Sequence, residues 1–162
     1  MLDSMIALSL YVAAIGAGLM AGVYFAFSGF IMRSFDRLGA VAATDAMNAI
    51  NDVILRSGFM ILFWVSTGLY AALALVALFD DTIAGRGWLL AASLLNVIGM
   101  FVCTAAFNVP LNNRLAATAA DDQAKLEAWP HYLQYWTRWN HLRALCSLAS
   151  CAISISWLIA PS

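Results

Sequence analysis

Charge is scarce in this chain. Lys and Arg number 8 and Asp and Glu 9 among 162 residues, 10% together, where a soluble domain carries about 25%. With 64% of residues apolar, a water-soluble domain of this size would have too little interior to hide them. The net charge of −1 supplies no basic field, so a nucleic-acid partner is excluded as well. Cysteine is limited to Cys103, Cys146 and Cys151, all within apolar runs and without CxxC spacing, so there is neither a disulfide framework nor a zinc motif. No P-loop or GxGxxG is present, which removes the usual nucleotide signatures. The long apolar runs contain no paired carboxylates, which argues against a proton-coupled transporter. His131 and His141 do not form an HxxH or HxxE pair. No metal or haem cofactor is therefore expected, although membrane oxidations often use one and the question stays open.

What the chain does have is four long runs without a single charge: residues 4–32, 57–79, 87–113 and 144–162. Each supplies the roughly 20 apolar residues that a helix needs to cross a bilayer. A backbone inside lipid must satisfy its own hydrogen bonds, so these runs are read as helices. The expected fold is all-α, an integral membrane four-helix bundle that forms one domain over residues 1–162. Of the 8 basic residues, 7 lie in the first and third connections: Arg33, Arg37, Arg56, Arg114, Lys125, Arg138 and Arg143. The positive-inside rule then places residues 33–56 and 114–143 in the cytoplasm and both termini outside, with a bacterial plasma membrane as the expected setting. The start, Met1-Leu2-Asp3, lacks a basic n-region, so the first run is read as a span and not as a secretory signal. Gly18 and Gly22 form a GxxxG, expected to pack helices within the chain, with homo-oligomerisation through that face as the alternative. Asn96, deep in the third run, is read as an interhelical hydrogen-bonding residue, and Trp88 and Trp157 as interfacial anchors.

The two cytoplasmic connections are longer than a bundle requires and have helical patterns. Thr44 suits an N-cap, and Met47, Ile50 and Ile54 recur at helical spacing, so helix two is expected to start near Thr44 and run straight into the membrane. Pro130 suits the first position of helix four, with Asp121 to Glu127 as a polar connector before it. Trp129, Tyr132, Trp136, Trp139 and Arg143 then form one helical stripe. Pro110 is expected to kink or end helix three. Helices two and four would thus extend into a cytoplasmic cap where polar groups gather: Asn48, Asn51, Asn108, Asn112, His131, Tyr135, Arg138, Asn140, His141 and Arg143. An aromatic belt, topology-setting arginines and interhelical amide bonds would account for them separately. Their concentration behind Trp136 and Trp139 points instead to a pocket for a flat apolar molecule. A histidine there would act as base, Arg and Asn would hold an oxyanion, and indoles would stack on a ring.

Two stretches carry a family resemblance. Asn108-Val-Pro-Leu-Asn-Asn-Arg-Leu115 is followed by Trp129 and then by Tyr135-Trp-Thr-Arg-Trp-Asn-His-Leu-Arg143. Together with Gly22-Val-Tyr-Phe-Ala-Phe-Ser28 and Met47-Asn-Ala-Ile-Asn51, they resemble the anthrone oxygenase-like family of small four-span membrane proteins. The resemblance implies oxidation of an anthrone, or of a phenol- or quinone-like aromatic, by O2 without a bound cofactor. The resemblance itself does not assign catalytic residues; for that chemistry the residue types suggest His141 as the base, with Arg143, Asn140, Asn108 and Asn112 holding the oxyanion. Trp136 and Trp139 flank the ring, Tyr135 and Asn51 complete the substrate site, and His131 is an alternative base. The competing reading is non-catalytic: a lipid, a quinone or a membrane partner bound through the cap.

Overall fold

A computed structural model of the chain describes residues 2–159. Met1, and residues 160–162 of the last expected span, lie outside the described residues. Every regular element among those described is helical, in the order α1 (Leu2–Ala26), a π-helical turn π1 (Phe27–Ile31), α2 (Met32–Asp36), α3 (Ala40–Ile54), α4 (Gly58–Phe79), α5 (Arg86–Leu94), two further π-helical stretches, π2 (Leu95–Val102) and π3 (Thr104–Asn108), α6 (Val109–Ala116) and α7 (Asp122–Ile159). Four continuous rods are long and apolar enough to cross a membrane: Ser4–Asp36, Gly58–Phe79, Arg86–Ala116 and Asp122–Ile159. The protein is a membrane-embedded four-helix bundle. Large apolar side chains such as Leu8, Leu19, Leu75, Leu145 and Leu148 are more than half exposed on its outside. Among the described residues, that surface makes sense only against lipid.

α7 runs through the centre and packs most extensively on α1 and on helix three, α5 through α6. Its inward stripe in the membrane is small and hydroxylated, with Ser147, Ser150 and Ser154 fully buried. Small side chains allow close backbone approach; two of the hydroxyls bond across the interface, and Ser147 Oγ has no partner among the described residues. Ser150 donates to the Ala92 carbonyl at 2.8 Å, and Ser154 shares a hydrogen bond with Tyr70 at 2.9 Å. The tightest approaches are at Gly16, where a methyl would collide with the Ser66 side chain, and Gly99, where it would lie 2.7 Å from Cys146 Cβ. Gly18 faces Cys151 of α7, while Gly22 faces open space. Asn96 is fully buried, yet neither end of its amide has a hydrogen-bond partner among the described residues.

Three boundaries differ from the sequence expectation. Helix two does not run straight from Thr44. Gly39 at φ +85° turns the chain into α3, in which Thr44 is buried and caps nothing. α3 stops at Ile54, and Ser57 starts α4 afresh: its hydroxyl donates to the Ile54 carbonyl at 2.8 Å and accepts the Phe59 N–H at 3.2 Å. One serine thereby ends one helix and caps the next. Helix three does not end at Pro110, since π3 lies directly before it and the proline falls in the first turn of α6, where its missing N–H does no harm. Helix four starts eight residues before Pro130, at Asp122. The Asp121 carboxylate accepts the N–H groups of Gln123 and Ala124, so the supposed connector is the helix's first turn.

The cap is bonded across elements. The Trp129 indole donates to Asp36 at 2.9 Å, tying α7 to α2, and Lys125 bridges Asp45 of α3 and Asp122 at 2.9 and 3.0 Å. Met32, Ala43, Met47, Leu115, Trp129, Tyr132 and Trp136 form its apolar core.

Candidate functional site

Between the cap and the bundle lies a cavity of about 400 Å³, within the size range of small-molecule sites. Most of its wall is apolar: Phe27 of π1, Met47, Ile50 and Ile54 of α3, Phe59, Phe63 and Trp64 of α4, Phe101 of π2. The break between α3 and α4 makes this space, because α3 turns across the cap to close the cavity instead of extending α4. α4 packs along α5 and π2 but not along π3 or α6. The parting leaves a mouth in the wall, with Leu55, Trp64 and Val109 at 65%, 57% and 42% exposure. Two π-helical stretches, π2 and π3, form the facing side, and such stretches recur at functional sites.

One end of the cavity is polar. Arg143 is 5% exposed, and its guanidinium carbon lies 4.5 Å from the centre of the Tyr24 ring and 5.2 Å from that of Trp136. Its Nη2 donates to Asn140 Oδ1 at 2.7 Å, and Nη1 reaches Thr104 Oγ1 at 3.4 Å. Asn140 is saturated: its Nδ2 donates to the Tyr24 carbonyl and to Ser28 Oγ, each at 2.7 Å. The amide therefore locks α1, π1 and the arginine into one arrangement. No carboxylate lies within 4.0 Å of Arg143 among the described residues. Two aromatic faces, the Asn140 amide oxygen and the Thr104 hydroxyl surround it, each weakly attractive to a cation. Three buried donors lining the cavity also lack partners among the described residues: Arg143 Nε, Trp136 Nε1 and Asn51 Nδ2.

Arg143, Trp136, Asn112 and Asn51, four of the residues singled out in the sequence, line this cavity. Asn112 accepts the Tyr132 hydroxyl at 2.9 Å. Asn140 and Asn108 stand just behind the wall, Asn108 donating to the Trp136 carbonyl at 3.2 Å. Four residues are placed elsewhere. Trp139 stacks on Phe107, ring centres 3.7 Å apart. Tyr135 is 40% exposed, with His131 on one side and Arg138 on the other. His141 is exposed and lines a separate groove with Arg33 and Asp36. The reason is the helix itself: two residues before Arg143 is about 200° round the cylinder, so His141 and Arg143 leave α7 on opposite faces. His131 lies in another shallow groove, beside Arg114. Tyr24, Phe27 and Thr104 belong to the cavity and were not singled out by sequence. Tyr24 lies inside the Gly22–Ser28 stretch, but nothing in a single sequence says that it meets Arg143 across 119 residues. Among the described residues no three His, Cys, Asp or Glu side chains come together as a metal-binding group.

No curated protein and no solved structure matches the chain. The family model described as anthrone oxygenase matches residues 53–153. That stretch contains α4 through most of α7, and with it Thr104, Asn108, Asn112, Trp136, Asn140 and Arg143. With more than half its length matched, the chain belongs to the anthrone oxygenase family.

Proposed function

We propose that the protein is an oxygenase of the membrane interior that binds a flat, weakly acidic aromatic, an anthrone or a phenol-like relative, in the cavity and lets its anion react with O2. The observation that carries this reading is Arg143: a buried guanidinium without a carboxylate, at the polar end of an apolar cavity. A guanidinium so placed favours the enolate or phenolate over the neutral form, because the attraction is little screened there. Trp136 Nε1 and Asn51 Nδ2 add donors for the same oxygen. Among the described residues no histidine or carboxylate lines the cavity, so the proton passes to water, and the reading assigns no base role to His141. The carbanion carbon of the enolate then attacks O2, forming a C–O bond and a peroxide. Protonation and loss of water leave a carbonyl, so that a CH2 group and O2 become C=O and H2O with no further electron donor. The chemistry asks for no cofactor. The cap, with its arginines, faces the cytoplasm in this reading, and both termini face outward.

The missing base also favours a second reading, in which the cavity binds a quinone or phenol without transforming it. One experiment separates the two. Full-length protein in detergent is given a simple anthrone, and O2 uptake is followed above the spontaneous rate. Arg143→Gln is expected to lose about 100-fold or more of the catalysed rate, while His141→Ala stays near wild type. Uptake that survives Arg143→Gln and vanishes in His141→Ala would sink the proposal. Saturable anthrone binding without uptake would establish the second reading.

A further inference from the structure

The groove that holds His141 shares no lining residue with the cavity. It has a volume of about 310 Å³ and lies between the end of the first rod and α7. Arg33 enters it from α2, Arg138 and His141 from α7. None of the three has a carboxylate oxygen within 4.0 Å among the described residues. Asp36 also lines the groove and sets one negative charge there against two guanidinium groups; its Oδ1 accepts the Trp129 indole N–H at 2.9 Å. The wall adds hydroxyls. Ser28 Oγ accepts from Asn140 and keeps its own hydrogen to donate, and Thr137 Oγ1 is buried with no partner among the described residues.

The depth of the groove identifies its ligand. Arg33 is the first charge after the uncharged run 4–32, and Arg138 and His141 come just before the run 144–162. The groove therefore stands where the apolar zone ends, at the level of lipid phosphates. Beside it on the same two rods, Phe30, Leu142 and Leu145 are 59%, 40% and 65% exposed, an apolar wall for an acyl chain. We propose that this groove binds the phosphate of an anionic phospholipid, with Arg33 and Arg138 on its oxygens and His141, Ser28 and Thr137 completing the donor set. The proposal does not depend on what occupies the cavity. Asn140, however, touches both sites, through Ser28 on one side and Arg143 on the other.

The test is native mass spectrometry of the delipidated full chain in detergent, titrated with phosphatidylglycerol, phosphatidylcholine or inorganic phosphate. Phosphatidylglycerol is expected to bind most tightly. Arg33→Gln and Arg138→Gln should each weaken it by about fivefold, whereas Arg56→Gln and Arg86→Gln, which remove the same charge elsewhere, should not. Both groove arginines are exposed, and thermal melts check that each variant is folded. Arg33→Lys, which keeps the charge, should retain most of the binding. Equal binding of the two lipids, equal loss in the control variants, or displacement of the lipid by an equal concentration of inorganic phosphate would each overturn the proposal.

Discussion

Arg143 is a buried charge at the edge of the cavity, and Asn140 holds it in place. All the hydrogen-bonding capacity of the Asn140 amide is used: the oxygen by Arg143, the nitrogen by Tyr24 and Ser28. Asn140→Asp keeps an oxygen for the guanidinium but introduces the carboxylate that the cavity lacks. Binding of an anionic phenol should fall about tenfold or more, measured by quenching of tryptophan fluorescence. Unchanged affinity would mean that Arg143 does not bind the ligand's charge. A second residue-scale effect concerns the short connection after α4. Asp80 accepts the Thr82 hydroxyl at 2.6 Å and its N–H at 3.0 Å, which hold its carboxyl below the ordinary value of 3.8. A lowered carboxyl contributes stability that is present above the unfolded value and lost as pH falls through the folded one. The small advantage of wild type over Asp80→Asn should therefore persist from neutral pH down to about 4 and vanish below it, read from thermal melts across that range. At this scale the sequence was legible where helical phase decides. Of the stripe Trp129, Tyr132, Trp136, Trp139 and Arg143, four are buried, while Trp139 is half-buried against Phe107. His141 is adjacent to Asn140 in sequence and off that stripe.

Elements in this protein are ended and bent by single residues. Ser57 divides what the apolar pattern reads as one long helix, and the division lets α3 cover the cavity. The sequence showed the serine but not its cap bond, since Ser can as readily sit on a helix face. Proline misled at Pro130, and at Pro110 only as to the helix ending there. Pro110 follows a π-helical stretch that absorbs its geometry, and Pro130 stands inside α7 because packing of Trp129, Tyr132 and Trp136 continues across it. Glycine placement also depends on neighbours. Gly99→Ala places a methyl 2.7 Å from Cys146 Cβ, a contact that only a shift of α7 relieves, at a cost of about 1–3 kcal/mol. Gly22→Ala meets nothing within 4 Å and should be neutral or slightly stabilising. Thermal unfolding in detergent is expected to rank Gly99→Ala well below wild type and Gly22→Ala at or above it. The reverse order would show that Gly22 faces a second copy of the chain.

The molecule as a whole is apolar on its outside, and its interior combines apolar clusters with a set of buried polar side chains. Leu148 is 59% exposed on the lipid side of α7, whereas Ser147 and Ser150 beside it are fully buried. Leu148→Arg should cost about 3 kcal/mol of membrane insertion, seen as loss of protein from the membrane fraction; normal insertion would place that face inside an interface. The four spans, the all-helical class and the polar cap were determined by the sequence alone. A charge is too costly in lipid and a bilayer has a set thickness, so uncharged runs of about 20 residues report spans without reference to any contact. The cavity, the phase of α3 and the partners of Arg143 were decided by tertiary structure. Each depends on where residues from distant segments meet, and one serine cap and two π-helical stretches help to set that meeting. Periodicity along one helix names the residues that face inward. Only the packing of the others determines what they face.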